Sequence, residues 1–145
     1  MKILMVCLGN ICRSPLAHGI MEHLVKEKGL DWEIDSAGTG NWHIGSPPDH
    51  RSIAIAKKYG VDISRQCCRQ FRIQDFDEYD RIYVMDRMNL RDVLSMARSE
   101  KDKQKVKLLL DQEIVPDPYY EDEQFDPVYK MIEKGCRNIL EKEIK

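Results

Sequence analysis

Lys2-Ile3-Leu4-Met5-Val6-Cys7-Leu8-Gly9-Asn10-Ile11-Cys12-Arg13-Ser14-Pro15 decides the architecture, because the chain changes character twice within this one stretch. The residues up to Cys7 form a short apolar run of β type, and those that follow are polar, small and turn-prone. Ser14 followed by Pro15 reads as a helix start, with serine as N-cap and proline at the first helical position. Beyond it Leu16, Ala17, Ile20, Met21, Leu24 and Val25 recur at helical spacing until Gly29 stops the helix. The unit is strand, loop, helix.

Working outward, the same alternation recurs. Residues 32–37 read as a second strand, 38–48 as a Gly/Pro-rich loop, and about 51–59 as a second helix closed by Gly60. Residues 80–85 give a third strand, 89–98 an amphipathic helix, 99–105 a solvated charge run and 106–110 a fourth strand. Val128, Ile132, Cys136, Ile139 and Leu140 mark a closing helix that starts after Pro127. Strands alternating with helices predict one α/β domain over residues 1–145. Its four-stranded, mostly parallel sheet would be covered by helices on both faces, Rossmann-like or flavodoxin-like, with right-handed crossovers. Ligands of such sheets bind beyond the carboxyl ends of the strands, which is where the loop 7–14 lies.

Bulk properties narrow the partners. The chain has 145 residues, enough to bury a single core without disulfides or a metal. At 42% hydrophobic and 33% charged it reads as globular, which excludes a disordered or membrane-embedded chain. No apolar run approaches the ~20 residues of a membrane span. The apolar N-terminal stretch is too short for a signal peptide and lacks a small-residue cleavage site, so cytoplasmic residence without membrane partners is expected. A net charge of −2 from 23 basic and 25 acidic residues leaves no basic footprint for nucleic acid. Any anion must then be bound by local geometry.

Five cysteines, an odd count, argue against a disulfide framework. Cys7, Cys12, Cys67, Cys68 and Cys136 contain no CxxC pair, and His18, His23, His43 and His50 are not grouped near them, so no metal or other cofactor is expected. A monomer or weak dimer is the expected state.

The loop 7–14 has the makings of an anion cradle. Backbone N–H groups between a strand end and a helix start can converge on one point, and the helix dipole adds partial positive charge. Gly9 permits unusual backbone angles, Asn10 tolerates a left-handed one, and Arg13 carries a planar fork of donors matched to phosphate oxygens. A cysteine at the end of the strand, beside an arginine and a helix N-terminus, is favoured as thiolate, a nucleophile toward phosphorus. The plainer alternative makes Cys7 a buried strand cysteine before an ordinary turn. The Ser14-Pro15 context and the turn-formers inside Cys-x5-Arg favour the functional reading.

Val6-Cys7-Leu8-Gly9-Asn10-Ile11-Cys12-Arg13-Ser14-Pro15 resembles the signature of the low-molecular-weight protein tyrosine phosphatases. The likeness continues through Asp35-Ser36-Ala37-Gly38-Thr39, Trp42, Gly45-Ser46-Pro47, Asp75-Phe76, Met85-Asp86, Asn89-Leu90 and Asp117-Pro118-Tyr119-Tyr120. It implies hydrolysis of phosphotyrosine in proteins, or of small aryl phosphates, through a phosphocysteine on Cys7. Arg13 and the loop amides would bind the phosphate. Asp117, fixed between Pro116 and Pro118 and otherwise readable as a solvated loop carboxylate, would be the general acid and base.

The resemblance also implies that Asn10 shapes the loop, Ser14 hydrogen-bonds the thiolate, Ser36 holds Asn10 and Asp86 lies near the loop arginine. Without it Ser14 is an N-cap, and Ser36 and Asp86 are polar strand ends. Gln66 falls where the family often carries a histidine, in the network behind the loop; it can hydrogen-bond but not ionise. Trp42, Tyr119 and Tyr120 would line the pocket mouth with Leu8 and Ile11 beside them, favouring aryl esters. Cys12 would trap an oxidised Cys7 as a disulfide. Two rivals remain: a thiol-dependent arsenate reductase, raised by the pair Cys67-Cys68, and a non-catalytic phosphate-binding module. Adjacent cysteines suit a disulfide relay poorly, and binding alone needs neither Cys7 nor Asp117.

Overall fold

In the computed structural model, which describes residues 1–144, the first strand β1 (Lys2–Cys7) is buried on both faces. Ile3, Met5 and Cys7 enter one apolar cluster, while Leu4 and Val6 enter another on the opposite face. A strand apolar on both sides belongs in the middle of a covered parallel sheet. The strands β1, β2 (Glu33–Gly38), β3 (Arg81–Val84) and β4 (Val106–Leu108) are all parallel, in the order β2-β1-β3-β4. This is the flavodoxin-like order, with a switch point between β1 and β3 where chains leave toward opposite faces. The sequence expectation of a four-stranded parallel α/β sheet holds.

The helices follow in chain order: α1 (Arg13–Glu27), α2 (His50–Lys58), α3 (Asp75–Glu78), α4 (Arg87–Ser95), α5 (Glu100–Gln104) and α6 (Phe125–Glu143). Leu16, Ile20, Met21 and Leu24 of α1 pack with Val128, Ile132 and Ile139 of α6 in the first cluster. Phe76 of α3 and Val93 of α4 join the second. Among the described residues no helix is long and apolar enough to cross a membrane.

Some boundaries differ from those expected, each for a local reason. Ser14 is not the N-cap of α1. That position falls to Cys12, Ser14 lies inside the first turn, and its hydroxyl is engaged elsewhere. Pro15 in α1 and Pro127 in α6 likewise sit within the first turn, where backbone N–H groups have no intrahelical acceptor and proline costs nothing. The helix expected from residue 89 begins at Arg87, because Asp86 caps it by accepting from the Asn89 N–H at 2.8 Å. The strand expected over 106–110 ends at Leu108, just before a tight turn in which Asp111 is left-handed, at φ 68°.

The run 99–105 is not merely solvated. Ser99 caps the short helix α5, and Asp102, almost fully buried, accepts from the backbone and guanidinium of Arg98. Arg98 holds that carboxyl below the usual carboxylate range.

Candidate active site

The end of β1 and the start of α1 sit at the switch point, and the loop between them forms the floor of a cavity of about 330 Å³. Cys7, Leu8, Gly9, Ile11, Cys12 and Arg13 line this floor. Trp42 and His43 form one wall, and Asp117, Tyr119 and Tyr120 the other. Three segments far apart in sequence meet here because the loops after β1, β2 and β4 all emerge at the carboxyl edge of the sheet.

The loop's shape depends on Asn10 and Gly38. Asn10 is left-handed, at φ 58°, and almost fully buried; Gly9, expected to take the unusual backbone angle, is not at positive φ. Gly9 instead leaves room for the His43 ring, which would lie 3.2 Å from a Cβ placed there. Gly38, at the end of β2, is pressed against the loop. A Cβ on it would come within 2.8 Å of the Leu8 carbonyl oxygen and 2.9 Å of the Asn10 nitrogen. The backbone N–H groups of Gly9, Asn10, Ile11 and Cys12 donate to no protein acceptor among the described residues. Such unpaired donors at a helix N-terminus are what an anion requires.

Around Cys7 the polar groups are ordered. Asn10 Nδ2 donates to Ser14 Oγ at 2.8 Å, and Ser14 Oγ lies 3.0 Å from Cys7 Sγ. With one of its lone pairs occupied by Asn10, the serine hydroxyl can direct its proton at the sulfur, which is nearer than the Ala37 carbonyl at 3.4 Å. Arg13 is buried to 3% exposure, and its Nη1 donates to Asp86 Oδ2 at 2.7 Å and to the Val115 carbonyl at 2.9 Å. Burial works against the guanidinium charge, but the Cys7 sulfur and the hydrogen bond and charge of Asp86, with Asp117, outweigh it and hold its pKa above the ordinary value. Asp86 thus does two things at once, capping α4 with one oxygen and aiming Arg13 with the other.

Asp117 approaches from the opposite side. Its Oδ1 accepts from the Tyr119 N–H at 3.1 Å, fixing the carboxyl in a local turn, and its Oδ2 lies 4.0 Å from Arg13 Nη2. Tyr119 and Tyr120 stand edge to face, centroids 5.0 Å apart, and Arg51 lies over the Tyr119 ring at 5.3 Å. Tyr120 is 86% exposed and Trp42 66%. This aromatic rim opens to solvent.

The residues behind the loop are arranged differently from the expectation. Ser36 does not hold Asn10; its hydroxyl pairs with His18 Nδ1 at 2.9 Å. Asn10 is held by Ser14 and by the Arg69 N–H, which donates to Asn10 Oδ1 at 3.0 Å. Gln66 does stand behind the loop helix, its Nε2 donating to the Pro15 carbonyl at 3.1 Å, while its Oε1 is buried with no partner among the described residues. All five cysteines are free. The Cys12 thiol is pushed up to about 12, by burial first and then by the negative charge of Asp49, Cys7 and Asp117. It faces the same cavity as Cys7 but stays protonated.

His43, Gly38, Cys68 and Arg69 were not singled out as site residues in the sequence. Gly38, inside the motif Asp35-Ser36-Ala37-Gly38-Thr39, had a signal there as a glycine at a strand end, and Cys68 had one only as a member of the pair Cys67-Cys68.

Residues 2–145 match the family model described as low molecular weight phosphotyrosine protein phosphatase. The chain is 42% identical to the low molecular weight protein-tyrosine-phosphatase YfkJ of Bacillus subtilis over 147 aligned residues, covering 96% of this chain and 93% of that protein. It superposes with a TM-score of 0.92 on a protein tyrosine phosphatase from Entamoeba histolytica with Hepes in its active site, at 34% identity, covering 98% and 96% of the two chains. A Drosophila protein described as an arginine phosphatase is similar at TM-score 0.93 and 34% identity, covering 100% and 99%.

Proposed function

The chain belongs to the low molecular weight phosphotyrosine protein phosphatase family, and from that premise we propose that it hydrolyses protein phosphotyrosine in two steps, with Cys7 as nucleophile. The protein is a protein tyrosine phosphatase; the residue roles that follow are our reading of the geometry. Cys7 thiolate attacks phosphorus, the P–O bond to the tyrosine oxygen breaks, and Asp117 gives that oxygen its proton. Arg13 and the unpaired loop amides hold the equatorial oxygens as charge spreads over them. Asp117, now ionised, takes a proton from water as it attacks the phosphocysteine, and inorganic phosphate leaves with Cys7 again a thiolate. Ser14 steadies the sulfur's charge in both steps.

The observation that carries this reading is the convergence of Cys7, Arg13 and Asp117 on one cavity, with the carboxylate and guanidinium 4.0 Å apart. The rim of Trp42, Tyr119 and Tyr120 supports an aryl ester as substrate, since flat rings bury well against one another. Five free thiols support a reducing compartment such as the cytoplasm. Cys12 would condense with a Cys7 oxidised by peroxide to sulfenic acid, releasing water and forming a disulfide that thiols reduce. Loss of peroxide recovery in Cys12→Ser, with the parent recovering on added thiol, is the expected result.

The test compares p-nitrophenyl phosphate and phenyl phosphate at mildly acidic pH, for the parent, Cys7→Ser and Asp117→Asn. Cys7→Ser should be inactive on both. Asp117→Asn should lose more on phenyl phosphate, whose leaving oxygen needs a proton more. Equal losses on the two esters would remove Asp117 from the acid role. Phosphoarginine and thioredoxin-coupled arsenate reduction run alongside; turnover of either above that of phenyl phosphate would displace the aryl reading.

A further inference from the structure

Asn10 is the one residue of the loop in a conformation that side chains normally avoid, and nearly every polar atom it has is gripped. Its Nδ2 donates to Ser14, inside the loop's own helix. The other two contacts come from a separate segment, residues 68 and 69. Cys68 Sγ donates to the Asn10 carbonyl at 2.7 Å, and the Arg69 N–H donates to Asn10 Oδ1 at 3.0 Å. That segment is itself anchored on three sides. Cys68 exchanges backbone hydrogen bonds of 2.8 Å with Ser46 and Gly45, in the loop that carries Trp42 and His43. The Arg69 carbonyl accepts from Gly38 at 2.9 Å, and its guanidinium binds Asp35 and the fully buried Asp75.

We propose that Cys68 is a positioning residue for the phosphate-binding loop, its thiol and the Arg69 amide together forming a two-point clamp that keeps Asn10 left-handed. The inference rests on the phosphatase reading above and deepens it. Were the Asn10 carbonyl released, its peptide plane could rotate, and with it the N–H of Ile11, one of the unpaired donors of the loop that lines the cavity. Burial, followed by the charge of Cys7 and Cys67, pushes the Cys68 thiol up to about 11, so it keeps the proton it donates at neutral pH. Cys67 next to it is exposed and makes no such contact. The clamp therefore gives the two adjacent cysteines, left unexplained by the catalytic scheme, unequal roles.

The experiment uses Cys68→Ser, which keeps a donor, and Cys68→Val, which fills the space without one. Inorganic phosphate binding is measured by calorimetry, kcat and KM with phenyl phosphate, and the pH profile of Cys7 alkylation by iodoacetate. Cys68→Val should bind phosphate roughly five- to tenfold more weakly, the worth of about one net hydrogen bond. Its alkylation profile should move to higher pH, as fewer donors face the thiolate. Cys68→Ser should restore both to within about twofold. If Cys68→Val binds phosphate and alkylates like the parent, or if Ser and Val are equally impaired, the thiol is packing and the proposal is overturned. Phosphate binding needs no turnover, so a parent that binds phosphate yet hydrolyses nothing sinks the catalytic reading and leaves the clamp standing.

Discussion

The floor of the site and the wall that carries Asp117 are built on opposite plans. The floor, residues 7–14, lies between a central strand and a helix buried on nearly every side, and Cys7, Asn10, Arg13 and Ser14 are each under 5% exposed. It is braced by β2 through Gly38 and by residues 68 and 69 through Asn10. The wall of Asp117, Tyr119 and Tyr120 belongs to no helix or strand, is mostly exposed, and is held by short-range turns, the Val115 N–H to Met85 and Arg51 over a ring. An anion cradle must be rigid before the substrate arrives, because its donors are of use only if already aimed. In the proposed roles the wall has one proton to deliver, a task that tolerates less order. Mutations that reshape the floor should therefore lower phosphate binding and stability together, while those in the wall should lower turnover or substrate affinity and leave the fold alone.

The largest expected effect is that of Cys7→Ser, which keeps the shape of the floor and should still bind phosphate while turnover falls about 10⁴-fold or more. Calorimetry beside a stopped assay checks both halves. Next is Asp117→Asn, where kcat should drop roughly 10²–10³-fold with Tm unchanged. A comparable fall in Tm would mean the wall is structural after all. Gly38→Ala attacks the floor without touching a reacting group. Its Cβ must displace the backbone of Leu8 and Asn10, at a cost of about 1–3 kcal/mol in stability, with phosphate affinity falling in step. Unchanged thermal and phosphate titrations would break the contrast between the two regions.

Tyr120→Ala removes an exposed ring from the rim. It should raise KM for phenyl phosphate by about threefold, within the range of one aromatic contact, and leave Tm alone.

The smallest effect concerns Asp49, which caps α2 and accepts from the backbone and side chain of Arg51. Although burial opposes ionisation, hydrogen bonds from the Arg51 side chain and backbone hold its carboxyl below the usual range. A carboxyl depressed in the folded state contributes stability that is present above its unfolded pKa, about 3.9, and is lost as pH falls through the folded value. Asp49→Asn should accordingly be slightly less stable than the parent at pH 7, the gap closing below about pH 4 in acid-titrated melts. A gap that widens in acid would reverse the sign assigned here.

Much of the floor was legible in the sequence and much of its bracing was not. Cys7, Arg13 and the strand-to-helix switch are contiguous, so turn chemistry and periodicity reveal them. Asp117 was identified by its flanking prolines and by family resemblance, not by any local sign that it would come within 4.0 Å of Arg13. Ser14 reads locally as a cap, because a serine before proline normally is one, and only the family resemblance points it at Cys7; its hydroxyl lies between Asn10 and Cys7 and the N-cap position falls to Cys12. Ser36 was assigned to Asn10, but strand register puts it opposite Met5, where it meets His18 instead.

What the sequence determined by itself, the short helices α3 and α5 having escaped it, was the four strands, the main helices α1, α2, α4 and α6 between and after them, and the loop at the end of β1 that holds Cys7 and Arg13. These follow from interactions within a few residues along the chain, where side-chain pattern and backbone preference act directly. Only the tertiary structure decided who holds the cradle: Gly38 pressed on its back, Asp86 and Val115 on Arg13, Cys68 and Arg69 on Asn10. Those partners lie tens of residues or more away, and which of many candidate donors arrives depends on sheet register and loop paths, which no local pattern encodes.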